Sequence, residues 1–119
     1  MINDWTDLAK QLTGLTGQLR GGIPGVMQGF SAMTKAATAE GSLDSKTKEL
    51  VALGIAIATR CDGCITFHTR KARDLGTSRA EIMETIGMAI YMGGGPALMY
   101  GAMALEAFDQ HVAAKENAE

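Results

Sequence analysis

No stretch of the chain alternates apolar and polar residues over the length of a strand with hairpin turns at its ends, and β-branched residues are diluted by alanine and leucine throughout. A sheet protein is excluded. Charge of one sign is also lacking. The 11 lysines and arginines are interspersed with 13 aspartates and glutamates for a net charge of -2, so there is no basic stripe for nucleic acid and no polybasic arm for a membrane. The opening residues MINDWTDLAK place aspartates where a secretory leader has a basic cluster and an apolar run, so no leader is expected and the default compartment is the cytoplasm. Linkers, internal repeats and low-complexity tracts are missing too. Residues 1–119 are therefore expected to form one domain, long enough to bury roughly two thirds of the surface of the unfolded chain without a disulfide.

What is present reads as all-α, a bundle of about six helices. Trp5, Leu8, Leu12, Leu15 and Leu19 recur at helical spacing from about Asp4 to Arg20, and Gly21 and Gly22 close that helix. Pro24 opens a second, with Val26, Met27, Phe30 and Met33 on one side. Asp44 or Ser45 caps a third, KTKELVALGIAIATR, and Ser78 to Glu81, SRAE, has the form of a capping box. Between Glu84 and Glu106 no residue is charged, yet three glycines and Pro96 interrupt the run. The reading is two helices meeting at a Gly-rich bend, not a membrane span, with the last running from about Pro96 to Ala113 ahead of a frayed KENAE tail. Eight methionines and fifteen glycines suit helices that approach closely, and apolar residues on nearly every side of them predict a homo-oligomer.

The only two cysteines lie in TRCDGCITFH, as Cys61 and Cys64, with His68 four residues beyond. On a helix starting near Cys61 the three side chains share one face within about 60°, with Cys64 one turn from each of the others. Zinc fits poorly, because a structural site takes ligand pairs from two segments. Here no second pair exists, and the spare candidates are His111 and carboxylates such as Glu49. A c-type haem site is excluded by Ile65 where histidine is required. Thiol chemistry fits better. Cysteines at i,i+3 on a helix stand about 5 to 5.5 Å apart between Cα atoms, within disulfide range. A helix N-terminus and a neighbouring imidazolium both favour thiolate. Arg60 acts the same way, Asp62 the opposite way, and Gly63 removes bulk between the sulfurs. His68 can exchange a proton with Cys64, and Glu49 could orient His68 if the chain turns back between their helices. Two half-buried cysteines with a satisfied histidine remain the bland alternative. His111, beside Asp109 and Gln110, reads as a solvated surface residue, and RKARD, Arg70 to Asp74, as an exposed face of mixed charge. Tyr91 and Tyr100, either side of the bend, read as packing.

The pattern E-x(11)-C-x-x-C-x-x-x-H, here Glu49, Cys61, Cys64 and His68, is followed by TRKARDLGTSRAEIMETIGMAIYMGGGPAL. Together they resemble the carboxymuconolactone decarboxylase superfamily, and within it the alkylhydroperoxidase D-like branch, over about residues 25 to 110. The resemblance implies an all-helical fold assembled as a homo-trimer or homo-hexamer. It implies a peroxidase in which Cys64 attacks a hydroperoxide and becomes a sulfenic acid, and Cys61 donates a proton and resolves it as the Cys61–Cys64 disulfide. His68 and Glu49 relay protons. No cofactor beyond that disulfide is implied, and a partner protein, not identifiable from the sequence, must reduce it. The fuller alkylhydroperoxidase pattern has a further histidine just before the second cysteine, where this chain has Gly63. The alternatives are a lyase of the decarboxylase type using His68 as base, and a non-catalytic member.

Overall fold

The structure, a computed structural model, describes residues 1–119 as six helices and no strand. They are α1 (Trp5–Gly22), α2 (Pro24–Thr38), α3 (Ser45–Ala58), α4 (Asp62–Asp74), α5 (Arg79–Gly93) and α6 (Gly95–Ala118). The starts follow local chemistry. Asp4 accepts from the Asp7 N–H at 3.1 Å, and Asp44 from the Thr47 N–H at 2.7 Å. Ser78 and Glu81 form the reciprocal capping box, and Pro24 and Pro96 occupy first turns, where a missing N–H leaves no bond unmade. The Gly-rich bend turns on Gly94, whose φ of 69° and ψ of -150° belong to a region closed to side-chain-bearing residues. Residues of the last segment continue as helix to Ala118, past the expected end at Ala113.

The core forms where α6 meets α1, α3, α4 and α5, around Trp5, Leu53, Ile57, Ile65, Ile82 and Phe108. Gly101 is buried against α5, and a Cβ there would stand 2.6 Å from the Ile86 Cγ2, so the two helices meet closer than alanine permits. Trp5 is fully enclosed. Its indole N–H donates to Glu106 Oε1 at 2.9 Å, and Glu106 also accepts from the Ile2 and Asn3 N–H groups at 2.7 and 2.9 Å. These backbone donors hold the Glu106 carboxyl below its ordinary pKa, Ile2 foremost. No helix is long and apolar enough to cross a membrane.

The two N-terminal helices leave apolar residues uncovered. The apolar stripe of α1 is buried only at its N-terminal end: Leu8 and Leu12 are half-buried, while Leu15 and Leu19 are about half exposed. Helix α2 buries no residue, and Val26, Phe30 and Met33 face outward. Beyond the last turns of α1 there is no further helix in the chain for these stripes to pack on, and α2 rests only on α1 and α3.

Candidate functional site: a cysteine pair beside a buried glutamate–histidine pair

Helix α3 stops at Ala58, and the chain reverses through Thr59 and Arg60, whose φ of 58° is a left-handed value rare for a side-chain-bearing residue. The Cys61 N–H donates back to the Ala56 carbonyl at 3.1 Å. This turn lays α4 against α3 and makes Cys61 the N-cap of α4, its sulfur accepting the Cys64 N–H at 3.2 Å. The sulfurs of Cys61 and Cys64 are joined, with Cα atoms 5.2 Å apart, inside the range that spacing on a helix predicts. Both cysteines are half-buried.

One turn on, His68 bonds through Nδ1 to Glu49 Oε1, across from α4 to α3. The Glu49 side chain is 6% exposed and the imidazole 35%. A buried carboxylate is costly unless paired, and His68 is its side-chain partner. The bond fixes the ring and leaves Nε2 as the nitrogen free to exchange a proton. The four residues singled out by spacing thus form two pairs on helices α3 and α4 and the turn between them, Cys61 with Cys64 and Glu49 with His68, and no hydrogen bond links one pair to the other.

Four details differ from the reading of the sequence. His111 is 2% exposed instead of solvated. The Thr66 hydroxyl donates to the Trp5 carbonyl at 2.6 Å, which leaves its oxygen to accept from His111 Nε2 at 3.0 Å. Burial, with help from the charges of Arg73 and Arg70, pushes the His111 pKa down to about 4. This histidine ties α4 to α6 and α1 and is not a spare ligand beside the cysteines. The RKARD face is mixed, since Ala72 is fully buried and half-buried Arg73 donates to the His111 carbonyl at 2.7 Å. The space over Gly63 is taken: a Cβ there would meet Leu12 Cδ1 at 3.1 Å. Helix α1 covers the position where the alkylhydroperoxidase pattern has a histidine, so Gly63 makes room for Leu12 and not for a substrate. Of the tyrosines, Tyr100 packs against the core and Tyr91 is exposed.

Two cavities open on Glu49 and His68 and neither reaches a cysteine. One of about 370 Å³ is the more polar of the two, with Thr34, Thr38, Ser45, Lys48 and Lys71 beside Phe67 and Leu75 on its walls. The other, of about 270 Å³, is lined by Leu43, Val51, Ala52 and Ile55. Spacing could have pointed to Lys71, three residues beyond His68 on the same helix. Thr34 and Thr38 depend on how α2 returns over α3, which no local signal gives.

The fold and site define a class of small all-helical proteins in which a half-buried cysteine pair opens one helix and a carboxylate–imidazole pair joins that helix to the one before. Comparison with known proteins places the chain within it. A sequence model of the carboxymuconolactone decarboxylase family matches residues 24–107, and the chain belongs to that family. The crystal structure of an apo carboxymuconolactone decarboxylase family protein from Legionella pneumophila superposes with a TM-score of 0.88 at 48% identity, covering 90% of this chain and 96% of that one. A Thermotoga maritima crystal structure gives 0.76 at 27% identity over 86% of this chain and 96% of its own. An uncharacterised protein of Cupriavidus necator is 40% identical over 107 residues, 87% of this chain and 95% of that protein.

Proposed function

We propose that the protein is a thiol-dependent peroxidase and disulfide oxidoreductase of the alkylhydroperoxidase D-like type. The observation that carries the reading is the joined Cys61–Cys64 pair on the first turn of α4, one turn before an imidazole held by a buried carboxylate. In the reduced protein the Cys64 thiolate attacks the terminal oxygen of a hydroperoxide. The O–O bond breaks, the alcohol leaves with a proton relayed through His68, and Cys64 becomes a sulfenic acid. The Cys61 thiol then attacks the Cys64 sulfur, the S–O bond breaks, and water departs as the disulfide closes. The peroxide gains two electrons and the dithiol loses two. An external dithiol on a partner protein returns them, and the positive end of α4 at the Cys61 sulfur stabilises the thiolate released in that exchange. The reaction needs no cofactor beyond the disulfide. Outward Val26, Phe30 and Met33 support a homo-oligomer, trimeric or hexameric as in similar proteins, and a cysteine pair that cycles suits a reducing cytoplasm.

The test is stoichiometric. One equivalent of an organic hydroperoxide should remove both thiols, yield one equivalent of alcohol and lower the protein mass by two hydrogens. Cys61→Ser should stop at a trappable sulfenic acid and Cys64→Ser should consume no peroxide. Peroxide loss without thiol loss contradicts the reading. One observation favours a second reading, a lyase with His68 as base: both cavities reach Glu49 and His68 without the cysteines. That reading requires the Cys61→Ser, Cys64→Ser double variant to keep full activity on a lactone acid.

A further inference from the structure

The two cavities at Glu49 and His68 differ in kind. They share Thr38, Lys48, Glu49 and His68, so one molecule can occupy both with its middle at the imidazole. Their walls carry two ammonium groups and a single carboxylate, Glu49, which is paired with His68. Lys48 is already committed. Its Nζ donates to the Ala37 and Ala39 carbonyls at 2.9 and 2.6 Å and pins the end of α2 over the cleft. Glu40 accepts from the Ser45 hydroxyl at 3.3 Å and does not line the cavity. Lys71 takes part in none of the side-chain hydrogen bonds or ion pairs of the fold, while its neighbours Arg73 and Asp74 pair with each other. Neither ammonium group therefore has a carboxylate partner: Lys48 borders both cavities and is held by carbonyls alone, and the Lys71 ammonium, in the first cavity only, has no hydrogen-bond partner at all.

We propose that the cleft takes an amphiphilic carboxylate, with its apolar part over Val51 and Ile55, its reacting group at His68 and its carboxylate at Lys71. Lys71 is then the residue that selects acidic over neutral substrates. The inference rests on the reading that Glu49 and His68 are the working proton relay, and it names the substrate class for that site.

Binding of unreactive probes tests it separately from turnover. Octanoate and octanamide share a chain and differ in charge, and the chain's two histidines give ring proton resonances that report whether a probe sits at His68 or elsewhere. In wild type at low salt, octanoate should shift the His68 resonances and bind at least about fivefold more tightly than octanamide, an effect of the size one partly exposed charge exerts. High salt should shrink the preference. Lys71→Gln should shrink the preference, Lys48 keeping a remainder of it, and Lys71→Glu should shrink it further. Equal binding by wild type, a preference undiminished in Lys71→Gln, or octanoate shifts confined to residues away from His68 would each overturn the proposal. Thiol oxidation by a hydroperoxide is measured on the same proteins. A charge preference reduced in Lys71→Gln without any thiol oxidation in wild type upholds the proposal and overturns the peroxidase reading. Rapid thiol oxidation with no charge preference does the reverse.

Discussion

At the scale of single residues, the two histidines sit in different surroundings. His68 is part exposed, held by Glu49 and open to two cavities. His111 is buried and held by Thr66. In the fold His111 stays neutral down to about pH 4, against an ordinary value of 6.5. The unfolded chain therefore binds a proton that the native state refuses. His111 leaves stability untouched above about pH 6.5 and costs stability as pH falls toward 4, by up to about 3 kcal/mol. Urea melts from pH 7 to pH 4 should show this slope, and His111→Gln should flatten it. Thr66→Val removes the bridge from Trp5 to His111 and should cost about 1 to 3 kcal/mol. The sequence revealed the Glu49, Cys61, Cys64 and His68 set because three of the four lie on one helical turn or the next, where spacing alone fixes neighbourhood. It could not reveal that His111 is buried, because the groups that enclose it, Thr66 and Trp5, lie 45 and more residues away.

At the scale of elements, the helix starts were legible because each is written in a capping side chain or a proline. Ser78 with Glu81, Asp44 and Pro24 all act within one turn. What α1 covers was not legible, since its contact with α4 is tertiary. Leu12 over Gly63 is that contact. Gly63→His, which would restore the fuller alkylhydroperoxidase pattern, should push α1 aside, shift the fluorescence of Trp5 and cost roughly 1 to 3 kcal/mol. Pairing it with Leu12→Ala should recover part of that loss. Gly94→Ala forces a side chain into the strained bend between α5 and α6 and should cost about 1 to 3 kcal/mol, read as a lowered denaturation midpoint with an unchanged slope.

At the scale of the molecule, apolar surface outnumbers the faces available to cover it. Val26, Phe30 and Met33 on α2 are all at least 58% exposed, and Tyr91 and Met92 at the end of α5 are 78% and 75% exposed. Monomers rarely leave such side chains clustered in water. The protein should sediment as a homo-oligomer, and Phe30→Asp with Met33→Asp should yield smaller species by light scattering. A wild-type monomer at micromolar concentration would contradict the proposed assembly. The expectation of a homo-oligomer comes from an excess of apolar residues, whereas the geometry of any assembly depends on surfaces that meet only between chains. The central claim is that Cys64 is an activated thiol served by His68 and Glu49. Its most direct measurement is the rate of thiol loss from reduced protein to a small excess of an organic hydroperoxide, from pH 5 to 9, in wild type, Cys64→Ser, Cys61→Ser, His68→Ala and Glu49→Gln. Fast loss is expected in wild type, none in Cys64→Ser, slowing by roughly 10²-fold or more in His68→Ala and a smaller slowing in Glu49→Gln. Loss in wild type as slow as from a free thiol, unchanged by His68→Ala, would contradict the claim.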